Sequence, residues 1–389
     1  MRMSFSLSGQ RCRRTPANRW ILDRCFLLCC CLPLFLRGFA QSPAGYKWWD
    51  PSKNDFPVIE GQGWTREIAH PYDRLPARAQ PSVRQVVWNL SRQGAGLVIR
   101  FRSDATDIHV RYTVKGRMEM PHMPATGVSG MDLYAVGKDG KWEWTAGKYS
   151  FGDTIRYNFS SLGREDMREY YLYLPLYNEV GWLEIGTPAD AKMTPLPVRT
   201  NRPVVVYGTS IAQGACASRP GMAWTAILGR RLDRPVINLG FSGNGQLENG
   251  ITQLLTELDA GVFVLDCLPN MSRFPADTVI SRLMETVRTL QQSRPGVPIL
   301  LVDDADAGIR SLDSARNEVF DKVNRAGKEA YNKMIAAGMK DIWLLPAEDI
   351  GLDIESTVDG VHPNDVGMQR YAAAYEKIIR KLLARRRRL

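Results

Sequence analysis

The chain has 389 residues, of which 44% are hydrophobic and 24% charged. That balance excludes disordered, collagenous and membrane-embedded classes and leaves a folded chain long enough for two domains. The net charge of +10 sits at the two ends: residues 1–40 carry seven arginines against Asp23, Arg385 to Arg388 close the chain, and the span between is neutral overall. A nucleic-acid binder would place its basic face on the folded part, so nucleic acid is not an expected partner.

Residues 2–24 are basic, Cys25 to Leu36 are apolar, and Gly38-Phe39-Ala40 puts small residues at the −3 and −1 positions before Gln41. This is the layout of a secretory signal peptide. The apolar run, broken by Pro33 and ended by Arg37, falls short of the ~20 residues that span a bilayer. The expectation is a signal peptide over residues 1–40, cleavage after Ala40, and export to a periplasmic or extracellular site without stable membrane insertion. Five of the seven cysteines lie in that leader, leaving Cys216 and Cys267. Two cysteines have no metal-type spacing, and a disulfide or two buried thiols are both open readings.

From residue 41 to about 198, short alternating runs recur between turn signals. They are Val83 to Leu90, Leu97 to Arg102, Asp107 to Lys115, Met131 to Val136, Lys141 to Thr145, Tyr170 to Leu176 and Trp182 to Ile185. Period-2 patterning at this spacing predicts an antiparallel β-sandwich domain over 41–198.

After the proline-bearing stretch Thr194 to Pro203 the pattern changes to nearly continuous apolar runs: Val204 to Tyr207, Val236 to Leu239, Val262 to Leu265, Ile299 to Val302 and Ile342 to Leu345. Such runs read as buried parallel strands. The last stretch between them is plainly helical, with Met368, Tyr371, Ala372, Tyr375, Ile378, Ile379, Leu382 and Leu383 on one face. Residues 199–389 are therefore expected to form a three-layer α/β/α domain, with its ligand site beyond the carboxyl ends of the strands.

Those strand ends carry chemistry. The first runs into Gly208-Thr209-Ser210-Ile211, a turn that can present a serine hydroxyl where a helix begins. A serine nucleophile needs a base, and this half has one histidine, His362, in Asp359-Gly360-Val361-His362-Pro363. The aspartate three residues upstream can hold the imidazole in the productive tautomer. Acyl transfer also needs donors for the developing oxyanion. Gly240, in the loop Asn238 to Gly245, and Asn270, in Asp266 to Asn270, lie at the next two strand ends. A serine cap, a surface histidine, a tight turn and a turn-forming asparagine would explain each singly. Four coincidences at successive strand ends are harder to accept.

Together these blocks resemble the SGNH hydrolases, also called the GDSL lipase/acylhydrolase family, over about residues 200–385. The resemblance implies a flavodoxin-like fold, Ser210 as nucleophile, and Asp359 and His362 as the rest of a triad. It also implies an oxyanion hole from the Ser210 N–H, the Gly240 N–H and the Asn270 side chain. Gly130-Met131-Asp132-Leu133-Tyr134 is similar to the glycine-x-Asp-Leu-Tyr motif of a bacterial subgroup with a preceding β-domain. Thr209 replaces the aspartate of the family's Gly-Asp-Ser motif, for which altered loop support is expected. No Gly-x-Ser-x-Gly elbow surrounds Ser210. No metal or organic cofactor is implied.

The expected activity is that of an exported serine esterase acting on short acyl esters, acetyl first, of carbohydrates or similar polar molecules. Activity should fall as pH drops through the ordinary histidine range, about 6.5. Its rivals are an acyltransferase using the same acyl-enzyme and a glycan-binding protein with an inert hydrolase half. Arg219 and Met222, in Ser218 to Met222, are candidates for the pocket entrance, with a structural ion pair the competing role for Arg219. Trp48, Trp49 and Trp64 could stack on sugars or pack the sandwich. Asp303, Asp304 and Asp306 read as a solvated acidic turn rather than a calcium loop. Oligomeric state is not legible in the sequence.

Overall fold

The computed structural model describes residues 45–163, 167–305, 312 and 314–386. The leader, Asp306 and the last arginines lie outside the described residues. No described helix is long and apolar enough to cross a membrane.

Among the described residues, the first half is built from eleven strands. One sheet joins β1 (Tyr46–Trp49), β4 (Ile108–Val114), β7 (Lys148–Ser150), β8 (Ile155–Phe159) and β10 (Val180–Pro188). The other joins β2 (Ile59–Glu60), β3 (Val98–Ser103), β5 (Asp132–Val136), β6 (Trp142–Thr145), β9 (Arg168–Tyr173) and β11 (Met193–Pro195). All their pairings are antiparallel. The inward residues, among them Phe101, Val110, Tyr112, Leu133, Tyr157, Leu172 and Ile185, form one core between the sheets. This is the sandwich that the alternation dictates.

Two departures have physical reasons. Val83 to Leu90 is not a strand: Gln85–Ser91 is a helix, α1. Positions 83, 87 and 90 also fit a helical face, and Val87 and Trp88 are buried while Val86 is exposed. The run is too short to distinguish the two periods. Strands β1 and β7 bury almost nothing along their length, so neither carries an apolar pattern.

The second half is a five-stranded parallel sheet. Its strands are β12 (Val204–Gly208), β13 (Val236–Gly240), β14 (Val262–Asp266), β15 (Ile299–Val302) and β16 (Ile342–Leu345), in the spatial order β13-β12-β14-β15-β16. That is the flavodoxin-like order, and its switch point falls between β12 and β14. Helices α5 (Asn249–Leu255), α6 (Ala276–Ser293) and α7 (Ser314–Ala336) cover one face, against Val205, Tyr207, Leu239, Phe263 and Leu265. Helices α3 (Ser210–Gln213), α4 (Trp224–Leu232), α8 (Ala347–Ile350) and α9 (Asp365–Arg386) cover the other, against Val204, Val206, Val262 and Val264. The first half contributes to both cores: Trp64, Leu75, Val87 and Trp88 join one face. Ala95, Met123, Val128, Leu176 and Tyr177 join the other, with help from a short helix, α2 (Ala125–Val128).

Trp48, Trp49 and Trp64 do not share a face. Trp48 and Trp49 are consecutive in β1 and so point to opposite sides. Trp64 is buried between the halves, with its indole N–H donated to Glu257 at 2.7 Å. Asp303 and Asp304 are not a solvated turn either: both are buried at the end of β15, and burial pushes the Asp303 carboxyl up to about 6.

Candidate active site

The site is assembled at the carboxyl ends of β12, β13 and β14 and on the turn before α9. Ser210 is the first residue of α3, directly after β12. Thr209 caps that helix by accepting the Ile211 N–H at 3.3 Å, which is the loop support the unusual threonine provides. As first helical residue, Ser210 has an N–H with no intrahelical carbonyl to meet. The serine is buried, and its Oγ lies 2.9 Å from His362 Nε2.

His362 Nδ1 lies 2.7 Å from Asp359 Oδ2. The other carboxylate oxygen accepts the N–H groups of Val361 at 3.0 Å and His362 at 2.8 Å, so the turn folds around its own aspartate. Burial works to raise this carboxyl, but the backbone and imidazole donors outweigh it and hold Asp359 below its usual range. An ionised Asp359 fixes Nδ1 as the protonated nitrogen and leaves Nε2 to accept the serine proton.

Of the two expected side-loop donors, Asn270 lies in the short 3-10 turn after β14. Its Oδ1 accepts the Gly245 N–H at 3.1 Å, which leaves the amide N–H groups as its donors. Gly240 is a correction. Its N–H donates to Asn238 Oδ1 at 2.8 Å, and a Cβ there would meet the Gln213 backbone nitrogen at 2.3 Å. Glycine is required at 240 for close packing on α3, not for an exposed donor.

A candidate donor that the sequence reading passed over is Gly243, at the tip of a turn closed by Asn244 N–H to Phe241 O at 2.8 Å. It adopts φ +69°, open space surrounds its Cα, and its N–H has no partner among the described residues. Ser-Gly-Asn-Gly was a visible signal for such a turn; which glycine N–H was spoken for was not visible.

This loop is held from three sides. Gln213 Oε1 accepts the Ser242 N–H at 3.0 Å. The Gln213 amide nitrogen reaches Gln93 Oε1 at 2.5 Å and Leu176 O at 3.2 Å. Arg74, fully buried, donates to the carbonyls of Asn238 and Gly240 at 2.9 Å each, Gln93 at 2.8 Å and Leu90 at 2.7 Å. Burial with no carboxylate to pair pushes its guanidinium down to about 9, with Tyr177 pulling the other way.

Arg219 is an ion pair rather than an entrance residue. Its Nη1 donates to Asp132 Oδ2 and, at 2.6 Å, to the Tyr134 hydroxyl, and its guanidinium stacks over Trp144 at 4.2 Å. Asp132 also accepts the Gly221 N–H at 3.0 Å and the Trp144 indole N–H at 2.5 Å. The Asp-Leu-Tyr motif is thus a staple on the segment after the nucleophile. The same segment is tied by Thr126 Oγ1 to Ser218 O at 2.7 Å and by Ser218 Oγ to Asp365 at 2.6 Å. Met222 is half-buried against the core beneath it.

Cys216 and Cys267 are both free and buried. They belong to the cores on opposite faces of the parallel sheet, so the sheet itself keeps them apart and no disulfide braces the site. Burial raises the Cys216 thiol to about 12, with the Asp359 charge adding to it, and so keeps it protonated.

A second imidazole stands beside this constellation. The ring of His122, from the first half, lies 5.8 Å centroid to centroid from that of His362. No short-range pattern ties residue 122 to residue 362.

Comparison with known proteins places these features. Residues 201–380 match the GDSL-like lipase/acylhydrolase family, and residues 46–193 match the N-terminus of SGNH-hydrolase-type esterases. None of the curated proteins compared matches the chain. A putative GDSL-like lipase from Bacteroides ovatus is 31% identical over 87% of this chain and 98% of its own, with a TM-score of 0.80. The salicylyl-acyltransferase SsfX3 of a tetracycline biosynthetic pathway shares the fold at 18% identity, 87% and 97% coverage and a TM-score of 0.70. A family two carbohydrate esterase from Cellvibrio japonicus does so at 11% identity, 87% and 98% coverage and 0.54. With a site at the switch point of a flavodoxin-like sheet and a matching β-domain before it, the chain belongs to the GDSL-like lipase/acylhydrolase family, the carboxylic ester hydrolases of SGNH type.

Proposed function

We propose that the protein is an exported serine esterase that removes short acyl groups, acetyl first, from carbohydrates or similar polar molecules. The observation that carries the reading is the continuous hydrogen-bonded line from Ser210 Oγ through His362 to Asp359. In acylation His362 Nε2 takes the serine proton as Oγ bonds to the ester carbon. The Ser210 N–H, the Gly243 N–H and the Asn270 amide are the donors available to the oxyanion. As the C–O bond to the alcohol breaks, Nε2 returns the proton to the leaving oxygen. Water, deprotonated by the same nitrogen, then attacks the acyl carbon, and as the bond to Oγ breaks Nε2 returns the proton to Ser210, freeing the acid.

Export rests on the leader, and the carbohydrate component on the fold shared with a carbohydrate esterase. Transfer to an acceptor alcohol in place of water is the second reading, favoured by the fold shared with an acyltransferase. Hydrolysis of p-nitrophenyl acetate and octanoate by the protein and its Ser210→Ala variant tests the proposal. Acetate is expected to be preferred, and the variant to lose about 10⁴-fold or more. Equal rates in both proteins would sink the assignment of Ser210. Acyl product on an added sugar or alcohol, in place of free acid, would establish transfer.

A further inference from the structure

His122 is held out at the catalytic histidine by a rigid device. Met120 and Met123 exchange backbone hydrogen bonds at 3.0 Å in both directions, closing a two-residue turn with Pro121 and His122 at its tip. Pro121 presets the backbone of that turn. Met123 is buried in the core of the second half and Met120 packs against it. On one side Thr126 Oγ1 bonds Ser218 O at 2.7 Å. On the other the Arg117 carbonyl accepts from Asn178 at 3.0 Å and the Met118 carbonyl from Ser129 at 2.8 Å. The His122 side chain itself is exposed and has no hydrogen-bond partner among the described residues. The turn is anchored on both sides, and the ring it carries has His362 as its ring neighbour.

Its position defines what it can meet. His362 Nε2 must stand about one hydrogen bond from the leaving oxygen to return the proton. At 5.8 Å between ring centroids, His122 stands within reach of substrate atoms next to that oxygen. A neutral imidazole both donates and accepts, and so does a hydroxyl, whereas an alkyl group there would leave the ring nitrogens unpaired. We infer that His122 is a specificity residue that hydrogen-bonds a hydroxyl neighbouring the scissile ester, so that the preferred substrates are partly acylated polyols or sugars. The inference rests on the esterase reading and names the alcohol that this same site selects.

The test compares the full-length protein with its His122→Ala, His122→Gln and Ser210→Ala variants on two acetates. One is p-nitrophenyl acetate, whose leaving group has no hydroxyl; the other is a mono-O-acetylated methyl xyloside. His122→Ala is expected to lower kcat/KM about tenfold on the sugar acetate, the worth of one hydrogen bond, and to change p-nitrophenyl acetate less than twofold. His122→Gln should recover most of the loss. Equal effects on both esters, or none on the sugar acetate, would overturn the inference, as would a wild type that cleaves only the aryl ester. In each of those cases a Ser210-dependent activity leaves the esterase reading standing. Activity that survives Ser210→Ala removes that reading and the inference with it.

Discussion

The two halves of the molecule divide the work unevenly. The α/β half holds the proposed reacting residues on short segments: Ser210, Gly243 and Asn270 after strand ends, and Asp359 and His362 on the turn before α9. The β half holds none of the reacting groups, yet it supplies Arg74, Gln93 and Asp132, which bind the loops carrying them. A strand end can place a residue but cannot by itself keep a glycine-rich loop in one conformation. That takes buried polar contacts from outside the sheet, and here they come from the preceding domain.

This division can be broken experimentally in order of effect. Ser210→Ala should remove activity about 10⁴-fold or more with little change in the thermal midpoint, because it deletes chemistry and leaves packing in place. Arg74→Met should cost about 3–5 kcal/mol of stability, since four carbonyls, two of them buried, lose their donor. It should also lower kcat on any ester, because two of those carbonyls belong to the Asn238–Gly240 segment. Urea unfolding and steady-state kinetics on the same sample would check both. A fully active Arg74→Met protein would mean that the loop holds itself.

A smaller effect separates the two glycines. Gly240→Ala places a Cβ 2.3 Å from the Gln213 nitrogen and should cost about 1–3 kcal/mol by overpacking. Gly243→Ala meets nothing, and only its left-handed backbone resists, at about 1 kcal/mol. Thermal midpoints of the two variants should rank in that order, and the reverse order would mean that close packing on α3 is not what demands a glycine at 240.

A separate effect is a pH slope beneath the site. Burial raises the carboxyl of Asp266, at the end of β14, to about 7, with the Tyr375 hydroxyl beside it pulling the other way. The unfolded chain titrates near the ordinary aspartate value, about 3.9. Between those values the folded state holds the proton more tightly. Asp266 therefore contributes most below about pH 4, and that contribution is lost as pH rises to 7. Asp303, raised to about 6, acts in the same direction. Urea midpoints at pH 4.5, 6 and 7.5 should show a fall in the wild type that Asp266→Asn flattens, and parallel curves would refute the assignment.

The parallel sheet and its strand-end residues were legible because both signals are local: a buried strand is a continuous apolar run, and the chemistry follows it directly. Arg74 and His122 were not legible. Arg74 lies 164 residues from the Asn238 carbonyl it binds, and an isolated arginine or histidine has no pattern that names its partner. The Asp132 motif was visible as a string, but its work in bonding Arg219, Gly221 and Trp144 was not.

By itself, then, the sequence determined the kind of layers and the turn that pairs Asp359 with His362, since periodicity and three-residue spacing are short-range facts. Only the tertiary structure decided which glycine N–H faces outward, that the two cysteines stay on opposite faces of a sheet, and which residues of the first half reach the site. Those depend on how buried donors and acceptors are paired across distant segments. Each buried polar group must find a partner, but the chain does not announce which one.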